Sequence, residues 1–346
     1  MKENKKIHLT PMSVVNNKKI DWLWRDWLPQ GKLTLLAGPA GIGKTTLMID
    51  IAASISRGGM LPFEEKISKQ SNVLIYSTED DIETTLNPRL VACGANIKNV
   101  YYISGIQASG DKVQYFDPTK DFKFLEETML EKPNIRLIII DPIVSVVSGD
   151  MHKSNEVRNS LAAFVELAQK YNCAIVGITH FSKSNLQTSP VDKIIGSQAF
   201  TALARMVWVV AEKKGEKFLA KAKSNISTLE GAIFYEIEKV IIDSDIETTR
   251  TRWTRYDENS NYEELMLSNS NEKNASKDST VSRAQALILD YLNQEDVIES
   301  KKLEKLIIDT NKISQSTYRR ALKLLQSESK IETIKKKEWY WKLTAE

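Results

Sequence analysis

The chain has 346 residues, 42% hydrophobic and 27% charged, with a formal net charge of +3. That length suggests two domains, or one large domain with an appendage, and so small a charge does not by itself argue for nucleic-acid binding. No apolar run approaches the roughly 18 residues of a membrane helix, and two cysteines, Cys93 and Cys173, are too few for a disulfide framework or a zinc cluster.

The basic start, residues 1–6, is not followed by an apolar secretory segment, so the chain reads as cytoplasmic with reduced thiols. Residues 1–30 form a lead-in in which Trp22, Trp24 and Trp27 crowd into six positions. Such a cluster packs a segment against its own domain or, because aromatic residues are enriched in interface cores, docks a neighbouring subunit.

An apolar run from Leu33 to Ala37 then leads into Gly38, Pro39, Ala40, Gly41, Ile42, Gly43, Lys44 and Thr45, followed by Thr46 and a helical stretch to Ser56. This fits the G-x-x-x-x-G-K-[ST] phosphate loop in its strand–loop–helix setting. The glycines let backbone N–H groups turn inward around phosphate oxygens, and the helix start adds donors and partial positive charge. Lys44 is placed to reach the β and γ phosphates and Thr45 to hold Mg²⁺, so ATP and Mg²⁺ are the expected ligands.

Continuous apolar runs at 73–76, 137–140, 174–178 and 206–210 suit strands covered on both faces, and helical spacing recurs between them. The fold expected over residues 31–266 is therefore α/β with a mainly parallel sheet, its ligands gathered at the carboxyl ends of strands. Three polar residues close such strands. Asp141 is the expected second Mg²⁺-holding carboxylate. Glu79, followed by Asp80 and Asp81, is placed to polarise an attacking water as a general base, although an acidic run also suits a helix start. His180 is placed to hydrogen-bond the γ-phosphate or its water.

Together these features resemble the RecA-like ATPases, and within them the RepA-type plasmid and phage replicative helicases. The likeness runs from about Trp22 to Glu238. Besides the phosphate loop it is carried by residues 77–81 with Asn87-Pro88-Arg89-Leu90, by 139–142, by 179–183, and by 195–200 leading to Ala204 and Arg205. It implies a RecA-like P-loop core in a homo-oligomeric, hexameric ring that spends ATP to move along single-stranded DNA. The alternative is a RecA-like regulator or a recombination or repair ATPase without unwinding. The resemblance also implies a cation supplied by the next subunit, for which Arg205 stands at the matching position. Residues 218–225 look like the trans-acting strand of DnaB-like helicases, with Lys223 where that strand carries arginine. A lysine supplies a point charge without the arginine fork.

Two polar loops are placed to touch DNA, one at 183–195 with Lys183 and Lys193, the other at 148–158 with Lys153 and Arg158. Residues 267–281 lack an apolar period and read as a linker. Over 282–346 the pattern predicts three short amphipathic helices and a hairpin around residues 335–337, a small α+β winged helix-turn-helix. Between Ser316 and Lys342 eight cations face three carboxylates. Arg319, Arg320 and Lys323 lie off the apolar stripe of the third helix, which Ser314 can cap, and Lys336 sits at the wing. This module is expected to bind duplex or origin DNA, or to dock a replication protein.

Overall fold

The computed structural model describes residues 9–63, 69–107, 113–114, 116–118, 120–151, 153–181, 198–243, 245–311, 313–335 and 338–344; within these, the side chains of 113, 198, 267–280 and 316 are outside the description. Contacts divide the chain into two units, one ending at Glu263 and one beginning at Glu264.

In the first unit the lead-in forms a small pair of strands, β1 (Trp22–Trp24) and β2 (Leu28–Pro29). The main chain of the core then runs β3 (Leu33–Gly38), α1 (Lys44–Arg57), β4 (Asn72–Ser77), α2 (Asn87–Ala92) and β5 (Val100–Tyr102). A short hairpin follows, β6 (Ile106–Gln107) and β7 (Val113–Gln114), then α3 (Phe122–Glu131), β8 (Ile135–Asp141), α4 (Ser154–Tyr171), β9 (Ala174–His180) and α5 (Gln198–Leu203). Four long strands close the unit: β10 (Met206–Lys213), β11 (Glu216–Ser224), β12 (Ala232–Ile242) and β13 (Ile246–Asp257).

Nine of these strands make one sheet in the order β13-β12-β11-β10-β3-β9-β8-β4-β5. From β10 to β5 all neighbours are parallel, and from β10 to β13 all are antiparallel. The division follows the sequence. Leu137–Ile140 and Ala174–Ile178 are apolar without alternation because both faces are covered, and their residues are buried throughout. Beyond Tyr235, β12 and β13 alternate and carry cross-strand ion pairs such as Arg250–Glu238, as a half-exposed hairpin does. The sheet thus matches the mainly parallel α/β core that the sequence suggests, with an antiparallel extension.

The lead-in tryptophans belong to this core. Trp24 and Trp27 are buried, stack on each other at 5.2 Å, and meet Trp208 of β10 edge-on. The Lys221 ammonium lies 5.0 Å from the Trp27 ring centre. Of the two roles open to this cluster, the structure shows packing, and these two rings offer no surface to a neighbour.

The second unit contains α6 (Tyr262–Gln294) from Glu264 onward, β14 (Val297–Glu299), α7 (Ser300–Lys305), α8 (Gln315–Ser327), β15 (Ile331–Lys335) and β16 (Trp339–Leu343). Ala284, Ile288, Leu292, Leu303, Ile307, Tyr318, Ala321 and Leu325 form its core, on the stripes their spacing suggests. The hairpin gains a third strand, because β14 pairs with β16 in the order β14-β16-β15. Residues 267–281, read from composition as a linker, lie inside helix α6. No Gly or Pro interrupts Tyr262–Gln294, so the backbone tolerates a helix even where no apolar stripe asks for one.

Candidate nucleotide site

The carboxyl ends of β3, β4, β8 and β9 converge on one cleft of about 350 Å³. Gly41, Gly43, Lys44, Thr45 and Thr46 line it from the phosphate loop, Glu79 and Asp80 from the end of β4, Asp141 from β8 and His180 from β9. Four segments that are far apart in sequence therefore meet where a parallel sheet collects its ligands. Gly43 caps α1 with φ of 98°, a conformation that side chains other than glycine rarely take.

Lys44 is buried, and its ammonium donates to the carbonyls of Gly38 at 3.1 Å and Pro39 at 2.8 Å. It also lies 3.1 Å from Nδ1 of His180. An ammonium has only donors, so Nδ1 accepts and the imidazole proton sits on Nε2, which faces Glu79 Oε1 at 3.7 Å. Lys44, His180 and Glu79 thus form one line across the cleft. Burial lowers the Lys44 pKa, while Asp141 and Glu79 pull it back up. Ala40 is exposed at the loop tip, and the Ile42 carbonyl accepts a hydrogen bond from Tyr235.

Asp141 is almost fully buried and accepts from Thr45 Oγ1 at 2.7 Å. Desolvation pushes its carboxyl up to about 6; Glu79 and Asp80 add to the rise, while Thr45 and Lys44 oppose it. A buried carboxylate at that pKa, touching a hydroxyl, suits a hard divalent cation. Among the described residues no cluster of three or more His, Cys, Asp or Glu can hold a metal alone. Thr45 Oγ1 and the Asp141 carboxylate are the groups that would hold Mg²⁺.

The acidic run at 79–81 divides its work. Asp81 is the helix cap, accepting from the backbone N–H groups of Glu83 at 3.0 Å and Thr84 at 2.8 Å. Asp80 pairs with Arg89 at 3.0 Å, and both line the cleft. Glu79 is left half-exposed with its carboxylate in the cleft. Glu79→Gln keeps the shape and removes the carboxylate charge. It is expected to leave ATP affinity within about threefold and to lower turnover by roughly 10²–10⁴. Single-turnover hydrolysis beside a nucleotide titration checks this; lost affinity would make Glu79 a structural residue.

Arg205 stands elsewhere. Its backbone N–H donates to Leu33 at the start of β3, whereas the phosphate loop leaves the end of β3. Six residues of strand separate the two, roughly 15–20 Å at about 3.3 Å per residue. Its side chain is exposed, without an ion pair among the described residues. Lys223 lies beside it on β11 and donates to the carbonyls of Thr201 and Ala204 at the end of α5. Burial, then Arg205, lowers its pKa. Of the two candidate fingers, Arg205 is free and Lys223 is held within its own chain.

Lys183, Lys193 and Lys336 lie outside the described residues. The stretch 148–158, read as a loop, is already helical from Ser154, with Lys153 paired to Glu156 and Arg158 within α4. Arg319, Arg320 and Lys323 are exposed on α8, capped by Ser314 as expected. Sequence reasoning assigned no role to Arg89, Lys217, Ile237 or Thr249, all of which line the cleft. Arg89 lies in a stretch that contributes to the family resemblance. The other three come from the antiparallel extension, where the alternation of β12 and β13 is the only signal.

Residues 14–185, just under half of the chain, match the family model described as an AAA domain. The DNA repair protein RadA of Campylobacter jejuni is 22% identical over 53% of this chain and 36% of its own length. RadA of Listeria monocytogenes is 26% identical over 46% of this chain and 30% of its own. The DNA repair and recombination protein RadB of Methanosphaera stadtmanae is 23% identical over 47% and 65%. The chain thus spans about a third of the RadA proteins it matches and under two thirds of RadB. Among the described residues no helix is long and apolar enough to cross a membrane.

Proposed function

We infer that the chain is a RecA-like ATPase that uses ATP and Mg²⁺, a reading supported by its match to the AAA domain model and its likeness to RadA and RadB. We propose that it hydrolyses ATP on DNA in a recombination or repair process, as an oligomer whose sites are completed by neighbouring copies. The observation that carries this reading is the convergence of Lys44, Thr45, Glu79, Asp141 and His180 on one cleft, while the exposed Arg205 stands at the opposite end of the sheet. The names of the RadA and RadB relatives support DNA repair and recombination as the setting.

In this mechanism ATP phosphates displace the Lys44 ammonium from the Gly38 and Pro39 carbonyls. Thr45 and Asp141 would hold Mg²⁺, which would offset charge on the phosphate oxygens. Glu79 takes a proton from water as its oxygen attacks the γ-phosphorus, and the bond to the ADP oxygen breaks. His180, released from Lys44, is free to donate its ring N–H to a γ-phosphate oxygen and so feels whether phosphate is present. Arg205 of the next copy meets charge that develops only in the transition state. Exposed Arg319, Arg320 and Lys323 on α8 form a sequence-independent phosphate contact for duplex DNA, in a winged-helix role.

A ring helicase of a plasmid or phage is the second reading, favoured by the order of the short stretches from Trp22 to Glu238. Turnover with and without single-stranded oligonucleotide, and strand displacement on forked DNA, separate the two. The proposal expects at least tenfold stimulation without displacement. Stimulated, ATP-dependent displacement would favour the helicase, and turnover indifferent to DNA would remove both.

A further inference from the structure

A phosphate loop binds anions only while its N–H groups converge. In a trans peptide the N–H and C=O point opposite ways, so each inward N–H sends a carbonyl outward. At the Ile42–Gly43 peptide that carbonyl meets protein rather than water. It accepts a buried hydrogen bond of 3.1 Å from the Tyr235 hydroxyl, more than 190 residues away in the chain.

Tyr235 is itself fixed. It is 1% exposed, and its ring lies 6.0 Å from that of Trp253 on β13. Trp253 Nε1 donates to the Asp50 carboxylate at 2.6 Å, on the helix that begins at the phosphate loop. Beside Tyr235, Ile237 packs so closely on the loop that a Cβ at Gly43 would lie 2.8 Å from its Cδ1. Loop, α1 and the β12–β13 hairpin therefore close a circuit through Ile42, Tyr235, Trp253 and Asp50. Burial raises the phenol pKa, which keeps the hydroxyl a donor at any working pH.

The geometry points to Tyr235 as a positioning residue of the phosphate loop: holding the Ile42 carbonyl outward keeps the Gly43 N–H turned into the cleft. This rests on the reading of the cleft as a nucleotide site. Tyr235 thereby acts on ATP affinity through the Ile42 carbonyl, from outside the residues that line the cleft.

Tyr235→Phe removes the hydroxyl and keeps the ring. Titration with fluorescent ATP and ADP analogues, steady-state kinetics and thermal melting are compared with the wild type and Lys44→Ala. The expected result is about 3–10-fold weaker binding of both nucleotides, the worth of one hydrogen bond. KM should rise in step, with kcat at saturation within twofold and the melting temperature within about two degrees of wild type. Unchanged affinity in Tyr235→Phe would overturn the inference. So would a joint fall in melting temperature, affinity and kcat, which is the pattern of lost packing. A wild-type protein that binds neither nucleotide would instead remove the reading of the cleft, and this inference with it.

Discussion

Lys44→Ala is expected to lower ATP turnover by on the order of 10²–10³, the effect of removing one preorganised donor from a phosphoryl-transfer site. Lys44 is the only cation that the phosphate loop itself brings into the cleft. Burial makes its charge costly, and the surroundings compensate with two carbonyls, the His180 ring and the nearby carboxylates Asp141 and Glu79. Such an ammonium is poised for a stronger partner, which triphosphate oxygens would supply. Alanine leaves the triphosphate without that ammonium, so nucleotide affinity should fall together with turnover. Circular dichroism and melting establish that the variant is folded. A folded Lys44→Ala protein with near-normal turnover would contradict the phosphate-loop assignment.

The second large effect is expected at a residue far from that cleft. Arg205→Ala should lower turnover by roughly 10³, near the lower end of what an arginine finger contributes, while ATP binding stays within a few fold. The register explains why. Met206 pairs with Thr34 and Val209 with Ala37, so Arg205 lies at the amino end of β3 and the phosphate loop at its carboxyl end. An arginine side chain spans well under half of that distance, and Arg205 cannot serve the cleft of its own chain. Lys223 is occupied by the end of α5. Lys223→Ala is expected to act mainly through stability, because it uncaps two carbonyls. Parallel assays of the two variants, with nucleotide titrations, assign the role: a silent Arg205→Ala beside an inactive but folded Lys223→Ala would reverse it.

Much of this was legible in the residues, for identifiable reasons. The phosphate loop is contiguous, and its chemistry needs no tertiary information beyond a strand before and a helix after. Asp141 and His180 were readable because each ends a largely apolar strand, and Glu79 because it stands two residues past one; parallel strands end together. What stayed hidden depends on contacts between distant segments. Tyr235 and Ile237 read as ordinary alternation until the antiparallel extension lays them on the loop. The work of Asp80 and Asp81 shows only in the structure, where one pairs with Arg89 and the other caps a helix. Residues 267–281 are polar and without an apolar period, so only the absence of Gly and Pro speaks for their helix. Trp24 and Trp27 could have faced a neighbour or the core, and only the position of Trp208 decides.

If adjacent copies build each reaction centre jointly, two dead proteins should rescue one another. Lys44→Ala retains a good Arg205, and Arg205→Ala retains a good phosphate loop, so interfaces in mixed oligomers include some with both. ATP turnover measured across mixing ratios should rise above either parent and peak at intermediate composition. Turnover that never exceeds the sum of the two separate proteins, at any ratio and with oligomers present, would contradict a shared centre.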